Sequence, residues 1–324
     1  MQRRSLRSCH RIVLASVCLV ALLAACKRNT EPLPGAATEP AAAVRQMAQY
    51  LHDNDLAGYA RVSVPPTQYA ALESAWAQGH SRWPLTGLPL DEKLPTLLTT
   101  LSEQGAEQKL QRAFRAQFEG QSAAVRQAAH SLGMFGVQYI THQGDYSAEE
   151  RAHYVQLVTA LSDWAQSAPL SDPKLAKANI ATLTAAARAT GLSSADSFQQ
   201  AGMTTSLQRL GPFAAALKQV LASYGLPLDE SVAQMRTGLT AQEGDNALVR
   251  VQYPLAGKEI DLQVALVRRE QHWYLARTLA ETDALLAAAA AAEQAKIDAA
   301  AAAAVPAESG TEQAPDSAKT AAKP

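Results

Sequence analysis

The chain changes its hydrophobic period once, and that change decides what it can fold into. Up to Gly225 the apolar residues recur every three or four positions, and beyond Pro227 they alternate. Val44, Met47, Ala48 and Leu51 fall at i, i+3, i+4 and i+7, and Leu94, Leu97, Leu98 and Leu101 repeat the spacing. Ser147-x-x-Glu150 is a capping box that opens a helix with Tyr154, Leu157, Val158, Leu161 and Trp164 on its inner face. Asp172-Pro173 places a cap and a first-turn proline at the start of another. Leu207, Leu210, Ala214, Leu217 and Leu221 line a further helix, closed by Gly225. The pattern predicts helices near 41–53, 67–78, 91–103, 106–119, 121–139, 147–167, 172–190 and 204–224.

Beyond Pro227, Val249, Val251, Tyr253 and Leu255 alternate with Arg250 and Gln252, and Ile260, Leu262, Val264 and Leu266 alternate with Asp261 and Gln263. Gly244-Asp245-Asn246, Ala256-Gly257-Lys258 and Glu270-Gln271-His272 supply the turns. With a strand at Val232 to Thr240, this predicts a four-stranded antiparallel meander with one face buried. Pro254 marks an edge position or a bulge. From about Thr282 the chain turns into an alanine helix, followed by a polar tail from Pro306 to Pro324. Alanine favours the helix but buries little, so this helix is expected to form without docking. Glu293, Gln294, Lys296 and Asp298 at its middle argue against a membrane span. The fold class expected is α+β, predominantly α-helical: a helical region 41–225, a meander 226–281, an alanine-rich helix 282–305 and a disordered tail 306–324.

The N-terminus carries Arg3, Arg4, Arg7 and Arg11 without an acid, and Ile12 to Ala25 is apolar or small. That run is shorter than the ~20 residues of a membrane helix and has the layout of a signal peptide, residues 1–25. It ends in Leu23-Ala24-Ala25-Cys26, which resembles the lipobox of bacterial lipoproteins. The resemblance implies cleavage before Cys26 and acylation of its thiol and new amino group; an ordinary secretory signal is the alternative. Lys27 in place of an aspartate implies, for a Gram-negative lipoprotein, the periplasmic face of the outer membrane. Residues 26–40, with three prolines and no apolar period, read as a flexible tether that spans about 45 Å when extended.

Removing residues 1–25 takes away four of 29 basic residues and no acids, leaving 25 against 30 and a net charge of −5. An acidic body argues against nucleic acid as a partner. Cys9 and Cys18 leave with the signal, so apart from Cys26 no thiol remains, and neither a disulfide nor a cysteine-ligated metal can hold the fold.

The stretch from Gly244 to Leu275, "GDNALVRVQYPLAGKEIDLQVALVRREQHWYL", is similar to the C-terminal sheet of envelope proteins with the nuclear-transport-factor-like or cystatin-like α+β fold. The likeness covers about 45 residues and implies a curved sheet that can enclose an apolar pocket. Tyr253, Leu262, Leu266, Trp273 and Tyr274 are the residues expected to line it, with plain core packing as the alternative. One echo stands apart: "GLPLDEKLPTLLTTLSEQ" from Gly87 and "GLPLDESVAQMRTGLTAQ" from Gly225 agree at nine of eighteen positions, by duplication or by reuse of a loop-to-helix start.

No nucleophile elbow, P-loop, dinucleotide fingerprint, zinc-protease motif or calcium loop occurs. Glu149 and His153, at i and i+4, could place two metal ligands on one helix face, but lack a third and read better as an exposed pair. His142 with Asp145 and Tyr146, and Asp53 with Asp55, read as loop and turn residues. Four tryptophans and the loop "SRWPLTGLP" from Ser81 fit a docking surface or a loop tucked onto its own core. No cofactor is implied. The expected role is a membrane-anchored binding or scaffolding module of the cell envelope, with a protein partner or an unidentified ligand. The alternatives are a small-molecule enzyme or isomerase, which would need a carboxylate or histidine beside a tyrosine in the pocket, and a purely structural role.

Overall fold

The computed structural model describes residues 39–87, 93–143 and 146–304. Its helices are α1 (Pro40–His52), α2 (Leu56–Ser63), α3 (Pro66–Ala77), α4 (Leu94–Ser102), α5 (Ala106–Gln117), α6 (Ser122–His142), α7 (Ala148–Ser167), α8 (Pro173–Thr190), α9 (Ala195–Ala201), α10 (Met203–Ser223) and α11 (Leu228–Ala233). Strands β1 (Arg236–Glu243), β2 (Asn246–Leu255), β3 (Lys258–Arg269) and β4 (His272–Leu275) follow, and α12 (Ala276–Ala304) ends the described chain. The protein is α+β and predominantly helical, as the change of period predicts.

Local chemistry sets the helix starts. Ser147 and Glu150 form the reciprocal capping box that opens α7. Asp172 accepts from the N–H groups of Lys174 and Leu175 to open α8. Asp55 accepts from Gly58 N at 2.7 Å and starts α2, while Asp53 ends α1, so both are turn residues as expected. Lys218 of α10 donates to the last carbonyls of α1, Leu51 and His52, and pairs with Asp229, which locks α1, α10 and α11 together. Gly211 lets α10 press against the α1–α2 turn: a Cβ there would sit 2.6 Å from the Asn54 carbonyl oxygen.

The helical core gathers Leu72 and Trp76 of α3, Leu98 of α4, Ala187 of α8, Phe198 of α9 and Leu207 of α10. Trp76 Nε1 donates to the Phe198 carbonyl at 2.9 Å, so its one polar atom is satisfied inside the core. Trp83 and Leu85 belong to this core, so the "SRWPLTGLP" loop is tucked onto its own body over Ser81–Gly87; its remainder lies outside the described residues.

The sheet has the order β1-β2-β3-β4, each pair antiparallel. Ala247, Val249 and Val251 face the same way as Leu266 and Trp273 and pack on Ala43 of α1, which crosses that face. A bulge interrupts β1 between Leu239 and Ala241. Pro254 stands opposite Glu259, beyond the last β1–β2 pair of Arg236 with Gln252, so its missing N–H removes no ladder bond.

Three expectations need correction. The first strand does not begin at Val232: Leu228-Asp229-Glu230 after Pro227 forms the short helix α11, with both acids in its first turn, and β1 starts at Arg236. The short helices α2 and α9 add to the eight that the period predicts. Nor is the alanine-rich helix undocked. It begins at Ala276, directly after β4, and buries Leu279 and Thr282 fully. Leu285 and Leu286 pack on the helical core, Arg269 holds Asp283 at 2.9 Å, and His80 meets Glu293 at 3.4 Å. The echoed segments take different structures, α4 against α11 and β1; the "LPLDE" of the first copy lies outside the described residues.

Candidate functional site

The site follows from a mismatch of strand lengths. β3 has twelve residues and β4 has four, and β4 pairs only with Leu266 to Arg269 of β3. In β3 the even-numbered residues turn their backbone groups towards β2, as Arg268 N shows by donating to Asp245 O at 2.7 Å. The odd-numbered residues turn theirs the other way. At Val267 and Arg269 these groups meet β4. At Asp261 they meet a side chain: the N–H donates to Gln156 Oε1 and the carbonyl accepts from Gln156 Nε2, both at 2.9 Å. Between these two attachments lie Gln263 and Ala265, with no strand beside them among the described residues.

A cavity of about 530 Å³ opens against this gap. The consecutive β3 residues Leu262, Gln263, Val264 and Ala265 all line it. Neighbours on a strand point to opposite faces, so a cavity lined by four in a row meets the strand at its edge. The opposite wall is the first two turns of α7, with Glu149, Glu150, His153 and Tyr154, and the end is closed by Leu275, Arg277 and Thr278. A second cavity of about 540 Å³ shares Tyr154, Arg277 and Thr278 with the first and runs on to Tyr59, Trp83 and Glu281.

Arg277 is the hub between the two. Its guanidinium pairs with Glu150, donates from Nε to Glu281 Oε1 at 2.6 Å and lies 3.4 Å from Tyr154 Oη. The Glu150 carboxyl is held below its ordinary range, first by the Ser147 backbone N–H of the capping box and then by Arg277. Burial lowers the His153 pKa and favours the neutral ring, whose Nδ1 is buried without a hydrogen-bond partner among the described residues. Glu149 is exposed and His153 half-buried, and both stand on the cavity wall. No group of three potential metal ligands occurs among the described residues.

The chain matches no family model, no curated protein and no solved structure. The site is therefore read from its own geometry.

Of the five residues expected to line a pocket, Leu262 reaches this cavity. Leu266 and Trp273 are buried in the core beneath α1, where Arg268 lies 5.7 Å from the Trp273 ring, and Tyr253 packs beside them. Tyr274 follows Trp273 on a strand, so it faces the other way, into the helical core. Burial there raises its hydroxyl pKa to about 12, with the Glu270 charge adding to the effect. Cys26 lies outside the described residues, as does Asp145 of the His142 loop. Among the described residues no helix is long and apolar enough to cross a membrane. A separate feature is the outer face of α6, where Leu132, Met134, Phe135 and Tyr139 are exposed while Gly133 and Gly136 let α7 pack closely on the inner face.

Proposed function

We propose that the protein is a ligand-binding module of the cell envelope, held at the periplasmic face of the outer membrane by acyl chains on Cys26. The observation that carries the binding reading is the cleft at the β3 edge, an apolar floor with a ring of polar groups whose orientations are already fixed. Arg277 is held by two carboxylates, and Glu150 by a helix cap. Groups held in this way orient a ligand without first being reorganised. The anchor rests on the run from Ile12 to Cys26 and its lipobox-like end, and two acyl chains give stable anchoring where one does not.

An enzymatic reading draws on the cavity that His153, Glu149 and Tyr154 share, which is the acid, imidazole and phenol set such chemistry needs. A neutral His153 beside Glu149 could move a proton to or from a bound ligand. The binding reading is preferred because Glu150 and Arg277 are engaged with each other and leave, among the described residues that line the cavity, no unpaired cation to stabilise a developing negative charge.

The cleft is tested with the neutral dye Nile red on the mature chain carrying Cys26→Ser, compared with the same chain carrying Ala265→Trp. Any dye on the exposed face of α6 is common to both and cancels. The expected result is emission that falls several-fold in Ala265→Trp at an unchanged melting temperature; equal emission would count against the cleft as a binding site. The anchor is tested by incorporation of a fatty-acid analogue, expected in the wild type and absent from Cys26→Ser.

A further inference from the structure

We infer that the cleft takes an extended polypeptide segment of a partner protein, one apolar side chain flanked by basic residues, which adds to the sheet as a strand along the open edge of β3. The inference rests on the binding reading above and names its ligand.

Three observations converge on it. The first is the unmet hydrogen-bonding capacity. Gln263 presents its N–H and C=O, and Ala265 its N–H, on the side of β3 that β4 does not reach, and no backbone bond outside the strand ladders involves either residue among the described residues. Exposed strand edges are the usual template for an added strand. At either end of this gap the edge is occupied, by β4 at Val267 and Arg269 and by Gln156 at Asp261. The gap between Asp261 and Val267 spans about 20 Å of strand, which fits a guest of three to five residues.

The second is shape. The guest would continue the track of β4, which the chain leaves at Ala276 to enter α12. Leu262 and Val264 on one face of β3, with Leu275 at the end, form the apolar floor for a side chain of the guest. A small apolar ligand would fill that floor but would leave the edge groups of Gln263 and Ala265 unmatched.

The third is charge. Glu149, Glu150 and Glu281 stand around the two joined cavities against Arg277, the one Lys or Arg among the described residues that line them, and burial favours the neutral form of His153. The surplus is negative, so basic residues on either side of the apolar anchor complement it. The segment of this chain after Val305, "PAESGTEQAPDSAKTAAKP", has no apolar side chain larger than alanine or proline and does not fit the floor.

The test uses a fluorescein-labelled peptide, Lys-Thr-Thr-Val-Thr-Thr-Lys, and the mature chain carrying Cys26→Ser, read by fluorescence anisotropy. Saturable binding is expected. It should weaken about tenfold or more when alternate peptide nitrogens are methylated, which removes backbone donors and keeps every side chain. Replacing both lysines by glutamate should also weaken it. On the protein side, Ala265→Pro removes an edge N–H without breaking the β2–β3 ladder, and should weaken binding with melting unchanged. If that variant does not fold, the methylated peptide still decides. Equal affinity for the methylated peptide, or no binding while Nile red still enters the cleft, overturns strand addition and leaves the binding reading standing. Loss of both signals removes both. A concentration-dependent dimer that the peptide displaces would assign the edge to a second copy and also overturn the inference.

Discussion

Shortening Leu279 to alanine tests whether α12 is part of the body. The expectation from composition is an undocked rod, whereas the structure buries Leu279 to 2% exposure among the residues of the helical core. Leu279→Ala removes three buried carbons, about 2.4 kcal/mol at ~0.8 kcal/mol per methylene, and the cavity left behind brings the loss to about 3 kcal/mol. For a body of this size, that corresponds to a fall in melting temperature of about 6–12 °C. The control lies further along the same helix, where Ile297 is 53% exposed and Ile297→Ala should cost no more than about 0.5 kcal/mol. Urea titrations followed by circular dichroism measure both. If the two variants lose stability equally, α12 does not dock, and the cleft loses the wall that Arg277 and Thr278 provide.

Other consequences are as direct. Gly133→Ala should destabilise the α6–α7 hairpin by about 1–3 kcal/mol despite alanine's better helix propensity, because the new methyl falls on the Ser162 side chain; adding Ser162→Gly should restore part of the loss in the same titration. Gln156→Leu should cost about 1 kcal/mol and speed hydrogen exchange at the Asp261 amide, since it removes both ends of the clamp. His153 has its pKa lowered from 6.5 by burial, so as pH falls through 6.5 the unfolded chain takes up a proton before the folded one does. Its contribution is complete above pH 6.5 and declines below it. His153→Phe should flatten stability between about pH 5 and 6.5, above the range where carboxylates titrate.

Much of the fold is legible in the residues. Period, caps and turns locate the long helices and three of the four strands, because each signal is local and strong: the Ser147–Glu150 box, Asp172-Pro173 and Gly244-Asp245. Short elements escape that reading. α2 has eight residues and α9 has seven, too few to show a period, although Ser194 and Ser197 carry a capping box. The docking of α12 is invisible to composition because it depends on a few residues, Leu279, Leu285 and Leu286, at the near end of an alanine run.

The candidate site was half legible. A four-residue "HWYL" beside a twelve-residue strand already implies an uncovered edge, and Glu149 with His153 on one helix face marks the opposite wall. Arg277 could not be found, since nothing in "LARTLA" says that its guanidinium joins Glu150 of α7 to Glu281 of α12. The family likeness places Trp273 and Tyr274 in one pocket, yet adjacent strand positions diverge by geometry alone.

The account depends on an unpaired stretch of backbone at Gln263 and Ala265. Residue-resolved hydrogen exchange measures it, on the chain alone and with the lysine-flanked peptide bound. Fast exchange at both amides in the free chain, slowed on binding, with Asp261 slow throughout, is the predicted result. Equal protection of Gln263, Ala265 and Asp261 in the free chain would mean that the edge is already covered, and would contradict the account.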